Sequence, residues 1–265
     1  MEESITFFKY HGTGNDFILV DARDGRIEKF NQEVVASLCD RHLGIGADGL
    51  ILLLHSEKND FRMKYFNSDG KESTMCGNGG RCISAFARDI GIIRDKASFS
   101  GIDGDHVVCF TDPQTVNLKM MDVEGITPVE GGYLLNTGSP HFVIEKKNIQ
   151  GIDVNYEGRK LRNNRALVMG GTNVNFMEIH SPYEISVRTY ERGVENETLS
   201  CGTGSVASAI IACHIQHPDK NVFHVNTLGG KLEVKFRKEG QNRYTDVWLA
   251  GPAEFVFKGE VNINS

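Results

Sequence analysis

The sequence predicts two strand-rich halves related by internal duplication, each built around one cysteine-headed helix. Three observations carry that prediction. Met75-Cys76-Gly77-Asn78-Gly79-Gly80 and Ser200-Cys201-Gly202-Thr203-Gly204-Ser205 each place a lone cysteine before small residues and an apolar helical stretch. Thr13-Gly14-Asn15 ahead of the apolar run at Phe17 is echoed by Thr137-Gly138-Ser139 ahead of the run at Phe142. The threonines Thr13 and Thr137 lie 124 residues apart and the cysteines 125 apart, and a near-constant offset across two unrelated motifs indicates a repeat. The repeat sets the boundary near residue 115, giving halves of 1–115 and 116–250.

Taken in order, Ile5 to Tyr10 and Phe17 to Asp21 read as strands around the polar, glycine-rich turn His11 to Asp16. Asn31 caps a helix that keeps Val34, Val35, Leu38 and Cys39 on one face and stops at Gly44. Leu50 to Leu54 and the alternating Phe61, Met63 and Tyr65 are strands that lead to the turn Asn67-Ser68-Asp69-Gly70. After Cys76, Ile83, Phe86, Ala87 and Ile90 share one helical face, and Gly91 ends it. Strand periodicity returns at Val107 to Phe110, at Val116, Leu118 and Met120, and from Leu134 to Ile144. Asn173, Asn175, Phe176 and Ile179 form one further strand, and Ile185, Val187 and Thr189 another. Ser205 to Ile215 is apolar nearly all round, the pattern of a helix wrapped by sheet. Leu232 to Phe236, Val247 to Leu249 and Pro252 to Phe257 close the chain as strands.

Composition limits the partners. A chain of 265 residues, 40% hydrophobic, can bury two domains of ordinary size. A net charge of -6 without any run of Lys or Arg leaves no electrostatic footprint for a phosphate backbone or an anionic membrane, so nucleic acid is excluded as a partner. No apolar run is longer than Leu50 to Leu54, far short of the ~20 residues that span a bilayer. The N-terminal Met1-Glu2-Glu3-Ser4 is acidic where a signal peptide is basic, so the expectation is a soluble, cytoplasmic protein. The six cysteines contain no Cys-x-x-Cys and no histidine at ligand spacing, a pattern that provides no metal site and, in a reducing compartment, no structural disulfide. Cys39, Cys82, Cys109 and Cys213 lie among apolar residues and read as small buried hydrophobes.

Cys76 and Cys201 stand apart because each heads a helix that opens with small residues. A cysteine at a helix N-terminus feels unsatisfied N–H groups and about half a positive charge, so its pKa falls from ~8.5 toward neutrality and the thiolate becomes a usable base. Small residues after it leave those N–H groups open to a carboxylate. Two such helices aimed at one cleft would hold an amino acid between two thiols, with N–H donors stabilising the carbanion formed next to its carboxylate. One thiolate removes the α-proton and one thiol returns a proton from the opposite face, with no cofactor. His141 and Glu191 are placed to tune the pair. The plainer readings are a turn histidine satisfied by backbone groups and half of a surface ion pair.

The runs Phe66 to Gly70, Met75 to Cys82, Tyr190 to Val194 and Glu197 to Gly204 closely resemble diaminopimelate epimerases, and Gly14-Asn15-Asp16-Phe17 and Ser139-Pro140-His141 fit the same family. The resemblance covers nearly the whole chain. It implies an α+β fold of two pseudo-symmetric domains, each a strand-rich, barrel-like sheet around a central helix, with residues 251–265 returning to the first domain. It implies cofactor-independent interconversion of LL- and meso-2,6-diaminopimelate in lysine and peptidoglycan precursor synthesis, by a homodimer. Cys76 and Cys201 would be catalytic. Asn15, Asn67, Asn173, Glu191 and Arg192 would hold the ends of the substrate, and Gly77, Asn78, Gly202 and Thr203 would offer N–H groups to its carboxylate. His141 and Glu191 would adjust the thiol pKa values. The chain departs from the family at Ser139, where asparagine is frequent and which becomes a substrate contact of shorter reach. It departs again at Gly49, where many members carry glutamine, and in a Glu191–Cys201 segment one residue longer, filled by Glu195-Asn196.

Other readings are tied to other features. A proline racemase or hydroxyproline epimerase of the same superfamily would also use opposed cysteines but would lack the polar groups for a distal amino acid end. A thiol–disulfide redox protein usually places its cysteines close in sequence, and these are 125 apart. A non-enzymatic binding module would need the clefts but neither thiol.

Overall fold

Apolar and polar residues alternate along β1 (Glu3–Gly12), and the chain reverses into β2 (Asn15–Asp21) through Thr13 and Gly14, both at positive φ, as a two-residue hairpin requires. These coordinates come from a computed structural model, which describes residues 3–73, 76–164 and 170–263. The chain divides into two units, Met1–Leu118 with Pro252–Ser265, and Lys119–Gly251.

In the first unit the hairpin is followed by α1 (Gln32–Cys39) and by β3 (Gly49–Leu54), which lies parallel to β2. Next come β4 (Phe61–Asn67), antiparallel to β3, and the short β5 (Glu72–Ser73). Then α2 (Gly77–Asp89) leads to β6 (Lys96–Gly101), parallel to β4, and to the antiparallel β7 (Gly104–Phe110) and β8 (Thr115–Lys119). Residues 77–87 of α2 are all buried, and Gly79 rests on Ile51, Met63 and Phe17 of the sheet. On the other sheet face, Val35, Leu38 and Cys39 of α1 pack with Ile18, Val20, Leu50 and Leu52.

The second unit opens with β9 (Val123–Glu124) and β10 (Thr127–Val129) and then repeats that order. Strand β11 (Gly132–Asn136) turns antiparallel into β12 (Pro140–Glu145), α3 (Val154–Arg162) crosses over, and β13 (Asn173–Ser181) runs parallel to β12. The antiparallel β14 (Glu184–Glu191) and short β15 (Asn196–Thr198) precede α4 (Gly202–Ile215). Strand β16 (Val222–Thr227) is parallel to β14, and β17 (Gly230–Lys238) and β18 (Arg243–Pro252) follow antiparallel. The last strand, β19 (Glu254–Ile263), pairs with β1 in the first unit. Element order and pairing sense thus agree strand for strand, the signature of a duplicated α+β fold with a buried helix inside each curled sheet.

Four local expectations are corrected. α1 ends at Cys39 and not at Gly44, because the Asp40 carboxylate accepts the N–H groups of His42 and Leu43 and draws the chain out of the helix. Met120 lies beyond β8, and the final strand begins at Glu254, Pro252 being the end of β18. Cys109 is half-buried. α3 had no sequence expectation at all: its middle residue, Gly158, packs on Tyr190 so closely that a Cβ would stand 2.4 Å from the Tyr190 Cβ, so close packing replaced the apolar stripe that periodicity detects.

Candidate active site

Each cysteine occupies the N-cap position of its helix, yet neither side chain caps it. The first intrahelical bonds are Gly80 N–H to the Cys76 carbonyl (2.7 Å) and Ser205 N–H to the Cys201 carbonyl (2.9 Å). The N–H groups of Gly77, Asn78 and Gly79, and of Gly202, Thr203 and Gly204, therefore point out of the helix ends.

In the first unit, Asn15 Oδ1 accepts from Asn78 Nδ2 (3.1 Å) and from the Cys76 Sγ (3.6 Å), while Asn15 Nδ2 donates to Asp48 (2.6 Å). Asn78 Oδ1 in turn accepts from the Arg81 guanidinium at 2.9 Å. A cation at one end and a carboxylate at the other thus fix the orientation of both amides, so an acceptor oxygen faces the sulfur. Asp48 is held by Arg41, which also grips Asp16. Burial pushes the Asp16 carboxyl up, but Arg41 and Lys9 outweigh it and hold the pKa at about 2. Asn67 ends β4 directly opposite Gly49. A Cβ at Gly49 would stand 2.5 Å from the Phe66 carbonyl and 2.6 Å from the Tyr65 ring, so the space of the missing glutamine side chain is filled by Tyr65.

In the second unit, the Cys201 Sγ lies 3.5 Å from Thr203 Oγ1, and Thr137 Oγ1 donates to the Thr203 carbonyl (2.9 Å), tying the first turn of α4 to the β11–β12 hairpin. Behind that turn, Thr189 Oγ1 donates to Asn175 Oδ1 (3.0 Å), which leaves Asn175 Nδ2 to donate to His141 Nδ1 (3.0 Å). The imidazole proton is thereby assigned to Nε2, a buried donor with no partner among the described residues. Burial lowers the His141 pKa to about 3, reinforced by the charge of Arg192 and opposed by the Asn175 bond, so the ring is neutral. His141 is therefore a buried strand residue held by a side chain, and not a turn histidine satisfied by backbone. Asn173 donates to Ser139 Oγ (2.9 Å) and to the Pro140 carbonyl (3.1 Å), and its Oδ1 accepts the Arg192 N–H (2.8 Å). Glu191 accepts from Thr198 Oγ1 (3.1 Å). The extra Glu195 adopts a left-handed conformation (φ 56) and binds Arg162 of α3 (2.9 Å), which pins the longer segment to its own unit.

The named residues thus form two clusters: Cys76, Gly77, Asn78 and Asn15 in one, and Cys201, Gly202, Thr203, His141, Ser139, Asn173, Glu191 and Arg192 in and around the other. Sequence reasoning missed Asp48, Tyr65, Arg81, Asn175 and Thr189. Asn175 had a readable signal, an amide on the same strand as Asn173 amid apolar residues. Arg81 had none, since an arginine in a helix ordinarily reads as solvated. Burial pushes Cys39 up to about 12 and Cys82 further still, so these thiols stay protonated. Among the described residues no helix is long and apolar enough to cross a membrane, and no cluster of three or more His, Cys, Asp or Glu side chains could hold a metal ion.

A sequence profile described as Diaminopimelate epimerase matches residues 7–123 and 133–256. The chain belongs to the diaminopimelate epimerase family. A family member from Flavobacterium psychrophilum is 48% identical over 251 residues, covering 95% of this chain and 98% of the relative. One from Aquifex aeolicus is 37% identical, covering 97% of each. Among solved structures, a Bacillus anthracis phenazine biosynthesis protein of the PhzF family superposes with a TM-score of 0.80 at 16% identity, over 98% of this chain and 100% of the other. A probable proline racemase from Agrobacterium radiobacter gives 0.71 at 15% identity, over 98% and 93%. These two share the fold, whereas the family relatives share the sequence.

Proposed function

We propose that this chain interconverts LL- and meso-2,6-diaminopimelate without a cofactor, in the cytoplasm, as a step of lysine and peptidoglycan precursor synthesis. The observation that carries this reading is the repeated half-site: in each unit a cysteine heads a buried helix whose first-turn N–H groups point outward. Those N–H groups, with Gly77, Asn78, Gly202 and Thr203 among their donors, bind the reacting carboxylate and stabilise charge that develops beside it. One of Cys76 and Cys201 removes the α-proton as thiolate. The other delivers a proton as thiol to the opposite face, and the roles exchange with the substrate's hand.

Asn15, Asn67, Asn173, Glu191 and Arg192 hold the substrate's ends, and Ser139 adds a shorter contact. Asn15 also accepts the S–H of protonated Cys76. His141 offers a neutral Nε2–H to its half-site, and Glu191 adds negative charge there; together they tune the acidity of Cys201. The chain acts as a homodimer, as its family resemblance implies. Light scattering that returns a monomer at micromolar concentration would remove that last point.

The discriminating assay tracks α-proton exchange into deuterated water with diaminopimelate and with proline. Exchange is expected with diaminopimelate alone, and exchange with proline alone would move the chain to the proline racemase reading.

A further inference from the structure

Arg192 is the first residue of the turn between β14 and β15, and it is exposed. Its backbone N–H is held by Asn173 Oδ1 (2.8 Å), but among the described residues its guanidinium has no hydrogen-bond or ion-pair partner. A guanidinium binds a carboxylate through two parallel N–H bonds, a geometry that tolerates little misplacement. The turn that carries Arg192 must therefore be fixed by other groups.

Glu195 fixes it. Its Oε1 accepts from Arg162 Nε (3.0 Å), from Arg162 Nη2 (2.9 Å) and from the Gly193 N–H (3.1 Å), and its Oε2 accepts from the Tyr190 hydroxyl (3.3 Å). The Glu195 N–H donates to the Glu191 carbonyl (2.8 Å), which closes the turn with Arg192 inside it. Both partners of the carboxylate are themselves immobilised. Tyr190 is fully buried, and the Arg162 guanidinium is seated so closely on Gly171 that a Cβ there would stand 1.7 Å from Nη1. Gly171 lies two residues before Asn173, so the strand that holds the Arg192 N–H and the helix that holds Glu195 meet at this guanidinium. Glu195 also sits at φ 56, a left-handed conformation that a long side chain rarely adopts and glycine adopts freely. Glycine would serve a turn that only reversed the chain; the glutamate adds four polar contacts.

We propose that Glu195, held by Arg162 and Tyr190, is a positioning residue that sets the place of the Arg192 guanidinium and thereby the affinity for a carboxylate of the substrate. The proposal rests on Arg192 holding an end of that substrate. Glu195 acts through Arg192 and touches no reacting atom, so its loss falls on KM and leaves kcat nearly in place.

The test is a double-mutant cycle on KM for diaminopimelate, with kcat read from the same assays. Glu195→Gly removes the carboxylate and relieves the backbone, and should raise KM about 10-fold with kcat within about threefold of the parent. Glu195→Gln still offers an oxygen to Arg162 and the Gly193 N–H, and should undo most of that rise. In an Arg192→Ala background, Glu195→Gly should add less than about twofold, because its effect runs through the missing guanidinium. A folded Glu195→Gly chain with unchanged KM overturns the proposal. So does a full 10-fold rise on top of Arg192→Ala, which would make the role of Glu195 independent of Arg192. Should Glu195→Gly fail to fold, Arg162→Gln must raise KM in the parent and not in the Arg192→Ala chain, and an unchanged KM in Arg162→Gln overturns the proposal equally. If Arg192→Ala itself leaves KM unchanged, the assignment of Arg192 to the substrate fails and the proposal with it. That failure is distinguishable, since the others all leave the Arg192 effect intact.

Discussion

α2 and α4 hold the same place in their units and begin with the same Cys-Gly-x-Gly pattern, but their insides differ. α2 carries Asn78 and Arg81 into the core, where they bond to Asn15 and neutral carbonyls. α4 buries no charged side chain, only the short hydroxyls of Ser205 and Ser208 among apolar residues, and most of the polar groups around its first turn come from the surrounding strands: Thr137, His141, Asn175 and Thr189. Duplication therefore preserved the cysteine and the outward N–H groups, while the means of orienting them diverged. One half uses a buried charge on the helix; the other uses a neutral relay on the sheet.

The largest expected effect treats the halves as equal. If both cysteines transfer protons, Cys76→Ala and Cys201→Ala should each lower epimerisation about 10³-fold or more, as loss of a general acid or base does. Full turnover by either variant in a steady-state assay would end two-base catalysis.

The next comparison separates the helices. Gly79 and Gly204 correspond, but a Cβ at Gly204 would stand 2.4 Å from Asn175 Oδ1, an atom pinned by Thr189, whereas at Gly79 it would meet the movable ends of Ile51 and Met63 at 3.1 and 3.5 Å. Gly204→Ala should therefore cost about 2 kcal/mol or more by breaking buried hydrogen bonds. Gly79→Ala should stay within about 1 kcal/mol of the parent, because alanine's helix preference offsets the crowding. Denaturant unfolding of both variants checks the contrast, and equal losses would contradict it.

His141 gives a pH signature confined to the second unit. Unfolded, the imidazole binds a proton below about 6.5. Folded, it stays neutral down to about 3. The unfolded state binds more protons between those values, so this stability is complete above pH 6.5 and is lost as pH falls through the window, up to about 2 kcal/mol by pH 5. Unfolding of the parent and of His141→Asn at pH 8 and pH 5 should show a smaller acid loss in the variant; parallel losses would mean the ring is not buried neutral.

The smallest effect expected is that of Thr189→Val. It removes the hydroxyl that sets the orientation of the Asn175 amide, for a cost of about 1 kcal/mol of hydrogen bonding. Turnover should fall several-fold with KM little changed, and a KM effect alone would assign Thr189 to substrate binding.

The helix-heading places of Cys76 and Cys201 and the order of most elements were legible because glycine runs and hydrophobic periodicity are local signals. The repeat was legible because its offset survived divergence. α3 was not, since Gly158 meets Tyr190 where an apolar side chain would otherwise mark the face. Arg81 was not, because an arginine in a helix ordinarily reads as solvated, and although Asn175 stood out as an amide amid apolar residues, nothing in its type names His141 and Thr189 as its partners. Asn173, expected to face the substrate, donates to Ser139 and Pro140 and accepts the Arg192 N–H in this structure, which leaves it one acceptor site on Oδ1 for a ligand, a count that only coordinates reveal.

The most direct measurement of the central claim, one cysteine taking the proton and the other giving one, is the early fate of deuterium when LL-diaminopimelate turns over in deuterated water. Two bases predict that the first product carries one deuterium at the inverted carbon while the remaining substrate stays unlabelled. Product that keeps its original proton, or label entering recovered substrate as fast as product, would show a single base at work and contradict the paired roles of Cys76 and Cys201.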